Sequence, residues 1–387
     1  MAGLYIHIPF CIKKCAYCDF VSFENMPFMA QYCNALKAEM EVSAFRIPQV
    51  SFDTVFFGGG TPSTLPLGAI KSILDTLKMR FSIAESAEIT MECNPGTVSL
   101  EKLKEYRAAG VNRLSFGLQS ASDALLKGIG RIHTYDDFLN SYALARQAGF
   151  SNINVDVMYG LPNQTVRDIS ETLRALFMLR PEHISAYSLI LEEGTPLHAC
   201  VERGEVRLPD EEEVYVQHRT CIEMLQNNGY ERYEISNYAR RGLQAKSPFR
   251  CRHNLNYWNN GEYLGIGLNA HSAMRLDGAF TRWSNTANLQ EYLLCTDSGA
   301  LPIEEKQIIG KDEEMFECVM LGLRKTDGIE LEAFEKRFHE SVHTHYDSAI
   351  ARLVSLHWLE IENGFIRLTD IGLDMQNEAL LYFMDEE

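Results

Sequence analysis

No stretch of this chain stays apolar for anything near the ~18 residues a membrane-spanning helix requires, so no such span is expected. Positive charge is also scarce: 36 Lys and Arg stand against 53 Asp and Glu, a formal charge of −17. That balance argues against a general grip on nucleic acid, which needs clustered cations opposite the phosphates. It is equally the surface of an ordinary soluble protein and identifies no partner. A basic start followed by an apolar run is missing, so no secretory leader is expected and the chain reads as cytoplasmic. Internal repeats and low-complexity tracts are lacking too.

What is present is a globular composition, 46% apolar and 23% charged over 387 residues. That is enough for one large domain and a smaller one. In a reducing compartment the ten cysteines are free thiols or metal ligands. Cys33, Cys93, Cys200, Cys221, Cys251, Cys295 and Cys318 are scattered singly and read as small core residues. Cys11, Cys15 and Cys18 instead crowd into "YIHIPFCIKKCAYCDF".

Residues 1–240 alternate between short strand-like runs and longer helical patterns. Strands are expected at Leu4–Ile8, Thr54–Phe57, Glu88–Glu92, Arg113–Leu118, Asn154–Met158 and Ile184–Ile190. Helices are expected near Phe28–Phe45, Leu67–Arg80, Leu100–Ala109, Tyr135–Ala148 and Thr165–Leu179. The third has Ser99 as N-cap, Glu101 in its first turn and Gly110 as its stop. Such alternation implies an α/β fold, a parallel sheet with helices outside it. Six units favour a partial (β/α)6 TIM-like barrel, with ligands at the C-terminal ends of the strands. Residues 241–310, rich in Gly, Asn and aromatics, read as a loop-rich segment with short strands. Residues 311–387 read as a mainly α region. It ends in a winged-helix-like module whose Asn363–Gly364 pair marks a hairpin. Without a basic face, that module is expected to be structural or protein-binding.

Spacing alone leaves three readings of the cysteine cluster. Cys15 and Cys18 fit a thioredoxin-like pair at a helix start, which leaves Cys11 unexplained. A zinc site needs a fourth ligand, and His7 is within sequence reach. A [4Fe–4S] cluster on three thiolates keeps one iron open for a substrate or cofactor. Spacing ranks the iron–sulfur cluster first and excludes none of the three.

C-x3-C-x2-C with an aromatic residue, Tyr17, before the last cysteine resembles the signature of the radical S-adenosylmethionine (SAM) superfamily. The resemblance implies that Cys11, Cys15 and Cys18 hold the cluster and that its open iron takes the amino and carboxylate groups of SAM. Electron transfer would then cleave the sulfonium bond to a 5′-deoxyadenosyl radical. It continues through "FFGGGTPS", "TMECNPGT", "SFGLQS", "GIGRIHT" and "NVDVMYGLPNQT". These segments are similar to the oxygen-independent coproporphyrinogen III oxidase branch, which holds the oxidase itself and the HemW-type heme chaperones. Carried over by position, Tyr5, Gly60, Thr61, Glu92, Gln119, Arg131 and Asp156 match residues that contact SAM in that family, and Tyr17 lies beside them.

Two departures point away from the oxidase. "CDF" puts Asp19 and Phe20 where the oxidase motif continues to a fourth cysteine, and the chain enters its first strand at about Leu4, without the oxidase's extension. "HNLNYW", His253–Trp258, matches the H-N-x-x-Y-W segment associated with the heme chaperones. A neutral imidazole ligates heme iron well, so the resemblance makes His253 a candidate heme ligand, with Tyr257 and Trp258 packing on the porphyrin. His271 is a second candidate, equally placed by sequence to line a SAM pocket. The resulting expectation is a heme chaperone that binds a [4Fe–4S] cluster, SAM and heme and passes heme to acceptor hemoproteins, respiratory ones included. The rival is oxidative decarboxylation of coproporphyrinogen III. No catalytic residue is assigned. SAM turnover, oligomeric state and peripheral membrane docking are left open.

Overall fold

The computed structural model describes residues 2–24, 26–47, 49–244 and 246–384. β1 (Ala2–Ile8) is followed by α1 (Met29–Arg46) and β2 (Ser51–Gly59). α2 (Ala69–Arg80) leads to β3 (Ser82–Cys93), and α3 (Leu100–Ala109) to β4 (Arg113–Gln119). α4 (Asp123–Gly128) and α5 (Tyr135–Gln147) lead to β5 (Ile153–Tyr159), and α6 (Val166–Leu179) to β6 (His183–Ser188). These six strands pair in chain order, all parallel, as the sequence led one to expect.

The helix starts follow from local chemistry. Ser99 accepts the Lys102 amide, while Thr134 with Asp137 and Thr165 with Asp168 form reciprocal capping boxes. Gly110, at φ 112°, ends α3 in a conformation that an L side chain resists.

Strand alternation divides the barrel's chemistry. On β4, Leu114, Phe116 and Leu118 are fully buried, Phe116 against Phe138 of α5. Each such side chain contributes about 1.5–3 kcal/mol relative to exposure. Arg113, Ser115, Gly117 and Gln119 alternate with them and line the inside of the barrel. The apolar core therefore lies between sheet and helices, and the barrel interior is polar.

Beyond β6 come α7 (Pro196–Glu202), α8 (Glu211–Asn227), β7 (Tyr230–Arg232) and β8 (Asn237–Arg240), with β8 antiparallel to β6. The segment read as loop-rich is more ordered than its composition suggested. It forms α9 (Arg252–Trp258) and β9 (Glu262–Ile266), which pairs parallel to β1. β10 (His271–Leu276), β11 (Ala279–Asn285) and β12 (Ile303–Ile308) then continue the sheet antiparallel. The sheet order is β12-β11-β10-β9-β1-β2-β3-β4-β5-β6-β8-β7, with β12 and β7 at its edges, so the barrel stays partial. Every residue of β12 is exposed, and Glu304, Glu305 and Lys306 put charge on that edge, where further pairing would be a hazard.

A second apolar core spans Met315 to Phe383. It packs helices Lys311–Gly322, Leu331–Phe338 and Val342–Ser355 with a small sheet of β13 (Ile329–Glu330), β14 (Leu359–Glu362) and β15 (Phe365–Leu368). Asn363 and Gly364 both take positive φ in the β14–β15 hairpin, as their dipeptide requires. Among the scattered cysteines, Cys93, Cys221 and Cys251 are buried, while Cys33, Cys200, Cys295 and Cys318 are only partly so. Cys33 and Cys318 still pack against the two cores, so the expectation that all seven are core residues is corrected only for Cys200 and Cys295.

Candidate functional site

The loop after β1 is held at both ends and in its middle. Phe23 N–H donates to Pro9 O (2.7 Å) and Cys11 N–H to Phe23 O (2.9 Å). Between them, Ala16 donates to Ile129 O (3.1 Å) and accepts from Leu197 N–H (2.8 Å). Gly130, at φ 77°, allows this approach, since a Cβ there would lie 2.9 Å from Ala16 N. So anchored, Cys11, Cys15 and Cys18 all reach the wall of one cavity of about 610 Å³.

This geometry bears on each reading of the thiols. No helix begins in the Cys11–Cys18 stretch, which is turn and bend, so the pair lacks the helix N-terminus that activates a thioredoxin-like cysteine. Burial pushes the Cys11 thiol up and the Cys18 thiol up to about 11, opposite to a redox-active cysteine. His7 is committed elsewhere: Nε2 bonds Val21 O (2.9 Å) and Nδ1 bonds the Tyr5 hydroxyl (3.1 Å). That removes it as the fourth zinc ligand. Among the described residues, no three His, Cys, Asp or Glu side chains group around a single ion position. A cubane cluster asks for something else, one thiolate on each of three irons.

The rest of the wall meets the thiols through hydrogen bonds. Thr61 Oγ1 donates to Cys11 Sγ (3.5 Å) and accepts from Asn94 Nδ2 (2.7 Å). Arg131 donates from Nη1 to Cys15 Sγ (3.4 Å) and from Nη2 to Asn94 Oδ1 (3.0 Å) and Gly117 O. Two of the three sulfurs thus sit in one donor network, whose cation would offset the negative charge of a thiolate-bound cluster. Arg131 Nε is buried without a partner, a donor left over for a ligand. The donor set and this orphan fit an anionic cluster with a polar cofactor beside it.

The glycines of "FFGGGTPS" answer chiefly to the protein itself. Gly60 N–H donates to Ile8 O (2.9 Å), and a Cβ on Gly60 would lie 2.7 Å from that oxygen. At Gly59, φ 103°, a Cβ would overlap the His7 ring at 2.3 Å. They let the end of β2 close against the end of β1.

Glu92, Gln119 and Asp156 bring three polar groups to the same wall. Gly59 N–H donates to Glu92 Oε2 (3.2 Å). Burial, and then the charge of Asp156, push the Glu92 carboxyl up to about 8. Burial also raises Asp156, against the Asn154 amide that donates to it at 2.7 Å. Gln119 adopts φ 71°, a costly conformation for a long side chain, at a register shift between β4 and β5. Its Oε1 accepts from the Tyr187 hydroxyl (3.2 Å). Tyr17 packs with Tyr187, Leu125 and Ile129 at the rim.

Of the residues singled out by sequence, Cys11, Cys15, Cys18, Tyr17, Gly60, Thr61, Glu92, Gln119, Arg131 and Asp156 share this cavity. Tyr5 is not on its wall; it lies behind Phe56, stacked at 6.4 Å between ring centroids. His271 is exposed at the start of β10, outside the cavity lining. Asn94 and Arg113 line the cavity without having been singled out.

"HNLNYW" is α9, and it plugs the N-terminal end of the barrel. Glu88 accepts the Arg252 and His253 amides at 3.2 Å each. His253 is 2% exposed, stacks on Phe56 and meets Gly3, where a Cβ would lie 3.2 Å from its ring. Nδ1 bonds Thr54 Oγ1 (2.8 Å) and Nε2 bonds the Tyr257 hydroxyl (3.1 Å). Burial, helped by the Arg113 charge, lowers its pKa to about 3. His253, expected as a heme ligand, is thus a neutral imidazole hydrogen-bonded through both nitrogens and lies off the cavity lining. Trp258 is covered by the Arg324 guanidinium, 4.4 Å from its ring centroid.

The Radical SAM superfamily profile matches residues 5–176 and the HemN C-terminal domain profile matches residues 309–375. "Heme chaperone HemW" of Bacillus subtilis (strain 168) is 34% identical over 389 residues, covering 100% of both chains. The protein of that name from Escherichia coli (strain K12) is 35% identical over 391 residues, covering 99% of this chain and 98% of its own. Coproporphyrinogen III oxidase (HemN) of Escherichia coli, a radical SAM enzyme, superposes with a TM-score of 0.83 at 22% identity. That match covers 99% of this chain and 89% of the oxidase, and shows a common fold.

Proposed function

This chain belongs to the HemW family of the radical SAM superfamily, and from that premise we propose that it is a cytoplasmic heme chaperone. It binds a [4Fe–4S] cluster, SAM and heme and delivers heme to acceptor hemoproteins. The full-length identity to proteins named heme chaperones carries this reading. Cys11, Cys15 and Cys18 would hold the cluster, and Gly60, Thr61, Glu92, Gln119, Arg131 and Asp156 would receive SAM. When bound, cluster and cofactor supply one-electron cleavage of a sulfonium bond.

The chain's own groups prepare that site. Arg131 and Thr61 stabilise the sulfurs electrostatically, and Asn94 fixes both by bonding each. Glu92, half-buried, is held by the Gly59 amide where it can accept from a ligand's ammonium or hydroxyls. Phe20 and Ile190, 62% and 67% exposed on the loops after β1 and β6, give the mouth of the cavity apolar surface for a porphyrin edge.

The test presents hemin and coproporphyrinogen III separately to anaerobically reconstituted protein with SAM and reductant. The reading expects about four iron and four sulfide per chain, a Soret band with hemin, and coproporphyrinogen III recovered unchanged. Protoporphyrinogen IX formation would make this the oxidase instead.

A further inference from the structure

Arg113 opens β4 on the inner face of the barrel, at the opposite end of the strand from Gln119. It is among the largest fully buried side chains, 2% exposed, and it lines the cavity. Its Nε has no hydrogen-bond partner, and it takes part in none of the ion pairs found among the described residues. A buried guanidinium in that state is costly unless an anion pairs with it.

Glu88 and Asp156 lie near enough for their charges to favour the guanidinium against its burial, but neither is hydrogen-bonded to it. Glu88 accepts two backbone amides at the start of α9, and Asp156 is bonded by the Asn154 amide. The cavity that Arg113 lines also presents the amides and hydroxyls of Ser115, Asn154, Ser236, Asn237 and Asn254, with Glu92, Asp156 and Arg131 among its charged groups. The unpartnered Nε, beside these amides and hydroxyls, is a buried donor left over for a ligand anion. A planar guanidinium fork matches a carboxylate in particular.

We propose that Arg113 is the carboxylate-binding residue of the cavity floor and receives a propionate of the bound tetrapyrrole. The assignment rests on the heme reading above and deepens it. It orients the macrocycle edge first, propionates inward, with the apolar edge toward Phe20 and Ile190 at the mouth. The same groove floor gives the chain a way to reject porphyrins whose carboxylates are masked.

The experiment titrates hemin and hemin dimethyl ester into cluster-reconstituted, SAM-loaded protein and follows the Soret band. One buried charge-assisted contact should make wild type prefer hemin over the ester by about tenfold or more, and Arg113→Gln should bring the two affinities together. An Arg113→Gln variant that keeps the wild-type preference, or a wild type indifferent to esterification, overturns the assignment while leaving the heme reading in place. A wild type that binds neither compound overturns both. Should the glutamine variant not fold, Arg113→Lys decides. Losing the fork should weaken hemin severalfold and leave the ester unaffected, and unchanged hemin affinity removes Arg113 from the site.

Discussion

At the scale of single residues, the legible part of the site was the part whose chemistry does not depend on tertiary packing. Three clustered thiols, and polar groups at strand ends, are expensive to bury for structure alone, so their types and places announce a function. His253 shows where such reasoning stops. A motif that carries a family resemblance can serve the barrel's packing, and only the fold shows that Thr54 and Tyr257 hold both ring nitrogens. Arg113 shows the converse. In sequence it is one arginine opening a strand, and its unpartnered Nε becomes visible only once the barrel encloses it. Replacing His253 by Ala should therefore cost about 2–3 kcal/mol in denaturant unfolding, from a cavity and unpaired polar groups. The Soret maximum of the heme-bound protein should not move. A shifted maximum with unchanged stability would restore the histidine as an iron ligand.

At the scale of elements, the parallel strands were legible because they are short apolar runs, several ending in Gly or Pro, and α3, α5 and α6 carry side-chain caps. The antiparallel extension was missed, although Asp277–Gly278 between "HSAMRL" and "AFTRWSN" is as strong a hairpin signal as Asn363–Gly364. α8 was missed too, despite the capping box of Asp210 and Glu213. In both cases polar and acidic composition masked the turn chemistry. The junction of β1 with β2 is the element on which the site depends most, since Gly60 sits against the backbone of Ile8 and Phe10. Gly60→Ala should destabilise the chain by about 1–3 kcal/mol and lower the iron and sulfide retained after reconstitution. Full retention with wild-type stability would show that the junction has slack.

A second junction joins α1 to the extension. Glu39 accepts from Gly267 N–H (2.9 Å), the Asn285 amide (2.6 Å) and the Tyr292 hydroxyl (2.5 Å). Burial outweighs these donors and pushes its carboxyl up to about 7. Below the ordinary carboxylate range both folded and unfolded chains hold the proton. From there to about 7 only the folded chain does, so stability should fall as pH rises through that window. Thermal melts of Glu39→Gln should have a shallower decline over it than wild type, and parallel declines would contradict the assignment.

At the scale of the whole molecule, one open sheet carries the thiol-lined cavity, while a separate core packs the C-terminal helices and their small sheet. No helix among the described residues is long and apolar enough to cross a membrane. On the proposed reading, the apolar mouth with Phe20 and Ile190 is where bound heme would be handed on. A carrier and a mere binder differ in kinetics. A binder releases heme at a rate set by its own dissociation, whereas a carrier passes it on within a complex. The decisive measurement mixes heme-loaded protein with increasing concentrations of an apo-hemoprotein in stopped flow and follows the acceptor's Soret band. The account predicts a transfer rate that rises with acceptor concentration, beyond the rate of release to a passive scavenger. A rate that stays at the release rate at every acceptor concentration would contradict it.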